Sequence, residues 1–163
     1  MCSSDLAPGL PTRVLGTQAV ALVNPGPPPP AGATASPETF LASRSDLSFT
    51  VGGQEGADWT ADQMAGGTYI FIYLPNGLCL ASARASTMAL ARCNLAASQR
   101  WVRLHLASVG GLEYSQLRNL ASGRCLTAAD GTAAATPAQS GARLDRCQAS
   151  PGWNQLVAFM AAP

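Results

Sequence analysis

The chain has 163 residues, a formal net charge of +1, and only 12% charged against 47% hydrophobic residues. A chain of that length buries well over half of its extended surface without a structural metal, and its near-neutral charge argues against a nucleic-acid partner, which would favour a basic stripe. All ten basic residues are Arg and there is a single His, which excludes lysine-based covalent chemistry and any site that needs two histidines.

Residues 1–37 differ from the rest. Pro8, Pro11, Pro25 and the run Pro27 to Pro30 fix φ and remove backbone donors. Four consecutive prolines favour an extended polyproline II spacer. The expectation is a leader and linker over 1–37 with few fixed contacts, although Val14 to Val23 is apolar enough to lie against a partner. Asp5, Pro8 and Pro11 interrupt the place where the apolar core of a signal peptide would sit. No apolar run reaches the length of a membrane-spanning helix.

From residue 38 onward the pattern is short strands between glycine-rich turns. Leu47, Phe49 and Val51 alternate with Ser48 and Thr50. Thr68 to Leu74 is β-branched and aromatic and then meets Pro75-Asn76-Gly77, a turn signal. Trp101 to Leu106 alternates before Gly110-Gly111. Helix-length apolar periodicity is absent, so one all-β domain over 38–163 is predicted.

An internal repeat organises these strands. Gly77-Leu78-Cys79-Leu80 recurs as Gly123-Arg124-Cys125-Leu126. Leu90-Ala91-Arg92-Cys93 recurs as Leu144-Asp145-Arg146-Cys147, and Gln99-Arg100-Trp101 as Gln155-Leu156-Val157. The order is kept, and the Ala/Thr/Gly stretch from Gly131 to Gly141 absorbs the extra length as a loop. A third, cysteine-free copy is read at Asp46-Leu47-Ser48-Phe49, with Ser48 where the others have Cys.

Four of the five cysteines occupy equivalent places in the two copies. The simplest connectivity is Cys79–Cys93 and Cys125–Cys147, each bridge stabilising by roughly 3 kcal/mol. Such bridges imply an oxidising compartment, hence an exported protein. No C-x-x-C motif exists and His105 stands alone, so neither a zinc site nor a redox pair is expected, and no cofactor. The fifth, Cys2, precedes Ser3-Ser4 and the proline-rich spacer. That is the layout of a lipoprotein's lipid-bearing N-terminus, with Met1 standing where a signal peptide would end; a free terminal thiol is the alternative. A lipid on Cys2 would be the only membrane attachment.

Catalysis lacks a constellation. His105 lies in an alternating strand pattern, and the closest acid pair, Asp58 and Asp62, is expected to flank a turn. G-x-S-x-G, phosphate-loop and H-E-x-x-H motifs are absent. A binding protein, not an enzyme, is expected.

The repeated series Gly-x-Cys-Leu, Leu-x-x-Cys and Gln-x-Trp resembles the ricin B-type lectins, over about residues 38–163. The resemblance implies a β-trefoil preceded by an extended, proline-rich segment. It also implies that Trp101 fills the core while Gln99 holds a turn. In the second copy Val157 replaces the Trp, with Trp153 nearby as compensation. The order of Cys2 with Ser3-Ser4, the proline-rich stretch and the ricin-like domain is similar to the A subunit family of cytolethal distending toxins. So are Phe40-Leu41 leading into Phe49-Thr50-Val51, and Ser122 to Thr127. That likeness implies a secreted or outer-membrane-anchored binding subunit. Its implied partners are a DNase I-like subunit and a second lectin-like subunit, and its implied role is attachment to host cells through a surface glycan or lipid. The alternative is a free-standing secreted carbohydrate-binding module.

Two departures bear on the site. Sugar-binding ricin-type repeats carry an Asp just after Cys-Leu, where this chain has Ala81 and Thr127. Neither is a charged acceptor for sugar hydroxyls. Asn154 and Gln155 remain as candidate glycan contacts, or as holders of a turn, and Asp130 reads as a turn former. The toxin family's aromatic cluster is reduced here to Trp59, the remaining candidate for a partner or glycan contact, with a core position as its other reading.

Overall fold

The computed structural model describes residues 13–25, 39–43, 47–50, 58–84, 86–109, 111–128, 139–150 and 152–161. Cys2, the prolines at 8, 11 and 27–30, Val51, Asp130 and the loop 131–138 lie outside the described residues. Among the described residues there are twelve strands: β1 (Val14–Asn24), β2 (Thr39–Ser43), β3 (Leu47–Thr50), β4 (Trp59–Met64), β5 (Tyr69–Tyr73), β6 (Leu78–Arg84), β7 (Thr87–Ala91), β8 (Trp101–Val109), β9 (Leu112–Asn119), β10 (Cys125–Ala128), β11 (Gln139–Asp145) and β12 (Val157–Ala161). Two 3-10 turns, Ala97–Gln99 and Trp153–Gln155, lead into β8 and β12. No helix among the described residues is long and apolar enough to cross a membrane.

Six strands close into an antiparallel barrel. β1 pairs with β4, β4 with β5, β5 with β8, β8 with β9, β9 with β12, and β12 with β1. Closure leaves no free sheet edge on the barrel. The other six strands form three hairpins, β2–β3, β6–β7 and β10–β11. The sequence barrel strand, hairpin, barrel strand thus occurs three times, over 14–64, 69–109 and 112–161. The fold is a β-trefoil.

The repeated motifs now have physical reasons. Gly77 and Gly123 have φ of 70° and 71°, a left-handed conformation costly for any residue with a Cβ. Each closes the turn between a barrel strand and its hairpin: Gly77 N donates to Tyr73 O at 2.7 Å, and Gly123 N to Asn119 O at 2.9 Å. The Leu after each Cys, Leu80 and Leu126, points into the core, and Leu41 takes the same place in the first unit. Trp101 donates its indole N–H to Leu80 O (3.1 Å), and Trp59 donates to Leu41 O (2.9 Å). Val157 stands in the third of these positions and Trp153 packs half-buried against the same cluster.

Three expectations need correction. The folded unit begins before residue 38, because Val14–Asn24 supplies a barrel strand; a barrel of this kind needs six strands, and Val20 and Leu22 alternate inward to fill it. The cysteine-free copy is aligned through Leu41, not Ser48. Ser48 lies on β3, the second strand of its hairpin, opposite Ala42. Asp58 and Asp62 flank no turn, since Trp59–Met64 is a strand in register with both β1 and β5.

The disulfides are Cys79–Cys93 and Cys125–Cys147, as the repeat implies. Each ties the first strand of a hairpin to the chain that leaves its second strand. Loops of 14 and 22 residues correspond to about 3 kcal/mol apiece of denatured-state restriction. A second apolar cluster, Ala21, Val23, Tyr114 and Ala158, lies on the outer faces of β1, β9 and β12. One buried cation is unusual: Arg100 is fully buried, with Nε to Leu95 O (3.2 Å) and Nη1 to Thr68 Oγ1 (3.2 Å), and its Nη2 has no partner among the described residues. Desolvation lowers its pKa from the usual guanidinium range.

Candidate functional site

Trp59 is not available as a contact. Its ring is wholly buried beside Tyr73 (centroids 5.0 Å apart) and its N–H is used inside the core. The sequence alone leaves both readings open. The register decides for the core, because Trp59 faces Val20 on one side and Tyr73 on the other.

Gln99 and Gln155 hold equivalent turns. Gln99 Nε2 donates to Arg92 O (2.6 Å), and its Oε1 accepts from Asn94 N (2.9 Å). Gln155 Nε2 donates to Arg146 O (2.9 Å), and its Oε1 accepts from Gln148 N (3.0 Å). Each amide therefore ties the 3-10 turn to the residues on either side of the second half-cystine. Two buried asparagines brace the same turns from the neighbouring unit. Asn119 Nδ2 donates to Ser98 O (2.8 Å), and Asn24 Nδ2 to Trp153 O (3.0 Å).

The third unit adds polar groups that the second lacks. In the hairpins, Cys79 faces Ala91 but Cys125 faces Asp145. The residue two after the first half-cystine is Ala81 in one and Thr127 in the other. Thr127 Oγ1 accepts from Gln155 Nε2 (3.2 Å) and donates to Cys125 O (2.9 Å). Gln116 Nε2 donates to Gln155 Oε1 (2.7 Å) and to Gln148 O (2.9 Å), while Gln148 Oε1 accepts from Gly152 N (2.7 Å). Around this network lies an open pocket of about 340 Å³, lined by Thr127, Asp145, Arg146, Cys147, Gln148, Asn154 and Gln155.

The two candidate residues Asn154 and Gln155 thus share one pocket, but in different roles. Gln155 is buried and spends its amide on the turn. Asn154 is half-buried and lines the pocket. Sequence reasoning missed Asp145. One of its carboxylate oxygens accepts from Arg143 Nε (2.7 Å), which fixes its position. The position after Cys-Leu carries Thr127, and the carboxylate that lines this pocket comes from β11, opposite Cys125. The only signal in the sequence is its place two residues before Cys147, which has meaning once the β10–β11 register is known. The Asp145 carboxylate and the Asn154 amide, both lining an open pocket, suit the vicinal hydroxyls of a sugar. Among the described residues no group of three His, Cys, Asp or Glu side chains could hold a metal ion.

A disulfide-linked β-trefoil with a polar pocket in one of its three units is the class of molecule this geometry defines, and its structural neighbours include cytolethal distending toxin chains and β-trefoil lectins. The structure of the Haemophilus ducreyi cytolethal distending toxin contains a chain that is 17% identical, with a TM-score of 0.59 over 97% of this chain and 93% of that one. A chain of the Actinobacillus actinomycetemcomitans cytolethal distending toxin is 17% identical, with a TM-score of 0.54 over 77% of this chain and 84% of that one. The Polyporus squamosus lectin, bound to the epitope Neu5Acα2-6Galβ1-4GlcNAc, is 11% identical, with a TM-score of 0.55 over 88% of this chain and half of the lectin. No protein-family model and no curated protein sequence matches the chain.

Proposed function

We propose that the chain is a non-catalytic binding subunit of an exported bacterial toxin of the cytolethal distending kind. It joins a DNase I-like subunit and a second lectin-like subunit, and helps attach the assembly to the host-cell surface. The likeness to the Haemophilus ducreyi toxin chain, which extends over nearly the whole of both chains, is the observation that carries this reading. The layout of Cys2 and the proline-rich segment supports it, with Cys2 as the lipid attachment point in the bacterial envelope. The disulfide-bridged trefoil presents rigid turns and hairpins, which suits recognition without chemistry. Co-expression with the neighbouring reading frames tests it. A stable three-chain complex is expected on gel filtration, and failure of all three to associate overturns the reading.

A second reading, a free-standing lectin, is favoured by the third-unit pocket. There Asp145 and Asn154 would accept and donate to the hydroxyls of one sugar. A glycan array with the isolated chain separates the two. Saturable binding that is inhibited by a free hexose and lost in Asp145→Asn favours the lectin.

A further inference from the structure

Barrel strands β1, β4, β5, β8 and β12 line a second pocket, which shares no residue with the pocket of the third unit. Two residues beyond Trp59, Trp101 and Val157, the barrel strands carry Ala61, Arg103 and Phe159. Two of these side chains are large and one is a methyl group. On the adjoining strand Gly16 has no side chain, and a Cβ built there would meet nothing within 4 Å. The first unit therefore leaves its share of the barrel end unfilled, and a cavity of about 190 Å³ results. Its floor and wall are Ala61, Tyr69, Phe159 and Arg103, and its rim carries Thr17, Gln18 and Gln63.

Arg103 is the unusual element. Its guanidinium carbon lies 4.3 Å from the centroid of Phe159 and 5.9 Å from that of Tyr69. Its Nε donates to Ser115 Oγ at 3.0 Å. Stacking and this hydrogen bond fix the plane of the fork and, among the described residues, leave its two terminal nitrogens unengaged. Among the described residues it meets no carboxylate: the ion pair present is Arg143 with Asp145, in the other pocket. A leucine or methionine would fill a barrel end at lower desolvation cost than a cation without a counter-ion. An oriented guanidinium, with an aromatic floor and three polar rim residues around room for about six waters' volume, is a receptor for a planar anion.

We infer that the barrel mouth binds the carboxylate of a compact organic acid, held two-pronged by Arg103, with its apolar body over Phe159 and Ala61. This site does not depend on the sugar pocket or on any toxin partner. The carboxylate can belong to a free small acid or to an acidic side chain of a docked peptide.

Benzoate, acetate, benzamide and a short peptide with one central glutamate serve as probes, titrated into the full chain and followed by amide chemical shifts. Benzoate should bind saturably and shift the amides of β4, β8 and β12 at the mouth, while benzamide should bind at least tenfold more weakly. Arg103→Gln should weaken benzoate at least tenfold, and Arg103→Lys by an intermediate factor because the planar fork is lost. Ala61→Met, which fills the cavity and keeps the cation, should weaken it as much as Arg103→Gln. Tighter binding of the glutamate peptide than of acetate assigns the carboxylate to a docked chain, and the reverse assigns it to a free acid; both support the site. Equal binding of benzoate and benzamide, no saturable benzoate shift at the mouth, or unchanged affinity in both Ala61→Met and Arg103→Lys overturns it.

Discussion

Trp59 separates the two readings of the first unit, so its replacement by Phe is the most direct test of the fold. The indole is wholly buried and donates to Leu41 O at 2.9 Å. Phenylalanine removes that donor and takes one buried hydrogen bond from Leu41 O, at a cost of about 1–3 kcal/mol. The smaller ring also loses apolar contact and opens a void worth about 1 kcal/mol more. The sum is about 2–4 kcal/mol. Trp101→Phe should cost the same, because Trp101 is equally buried and bonds Leu80 O at 3.1 Å. Urea unfolding with intact disulfides measures both, provided the slope of free energy with denaturant stays constant. A loss below about 0.5 kcal/mol for Trp59→Phe, beside a full loss for Trp101→Phe, refutes the equivalence of the two units.

Other expectations follow from single contacts. Gln155→Ala should destabilise by about 2–4 kcal/mol and more than Gln99→Ala, since Gln155 also engages Thr127 and Gln116; paired urea curves decide. Arg100→Met should leave stability unchanged or raise it by about 1–2 kcal/mol, because it removes a buried cation that has no carboxylate partner among the described residues; thermal unfolding reads the sign. Replacing Cys125 and Cys147 together by Ser should cost about 3 kcal/mol, slightly more than the Cys79 and Cys93 pair, because its loop is longer. If the third-unit pocket binds a sugar, Asp145→Asn should weaken it about tenfold, or 1.4 kcal/mol, at unchanged stability; calorimetry against an array-selected glycan measures the change.

The repeat unit was legible in the sequence because its constraints are local. A left-handed turn needs glycine, so Gly77 and Gly123 mark equivalent places. A bridge needs two cysteines at fixed places in a hairpin, so Cys79, Cys93, Cys125 and Cys147 define the pairing. A buried amide that holds a turn recurs as Gln99 and Gln155. The first unit carries no cysteine pair, and its signal there fades. What fixes it is closure: the barrel lacks a strand until Val14–Asn24 joins β12 to β4. Register is likewise a property of two chains side by side, and adjacent residues point to opposite faces. It sent Trp59 inward and set Asp145 opposite Cys125. It also left Arg103 beside a gap that neither Gly16 nor Ala61 fills. Composition and spacing determined which pieces this chain is made of; only the closed barrel decided which side chains meet, because those meetings join residues far apart in sequence.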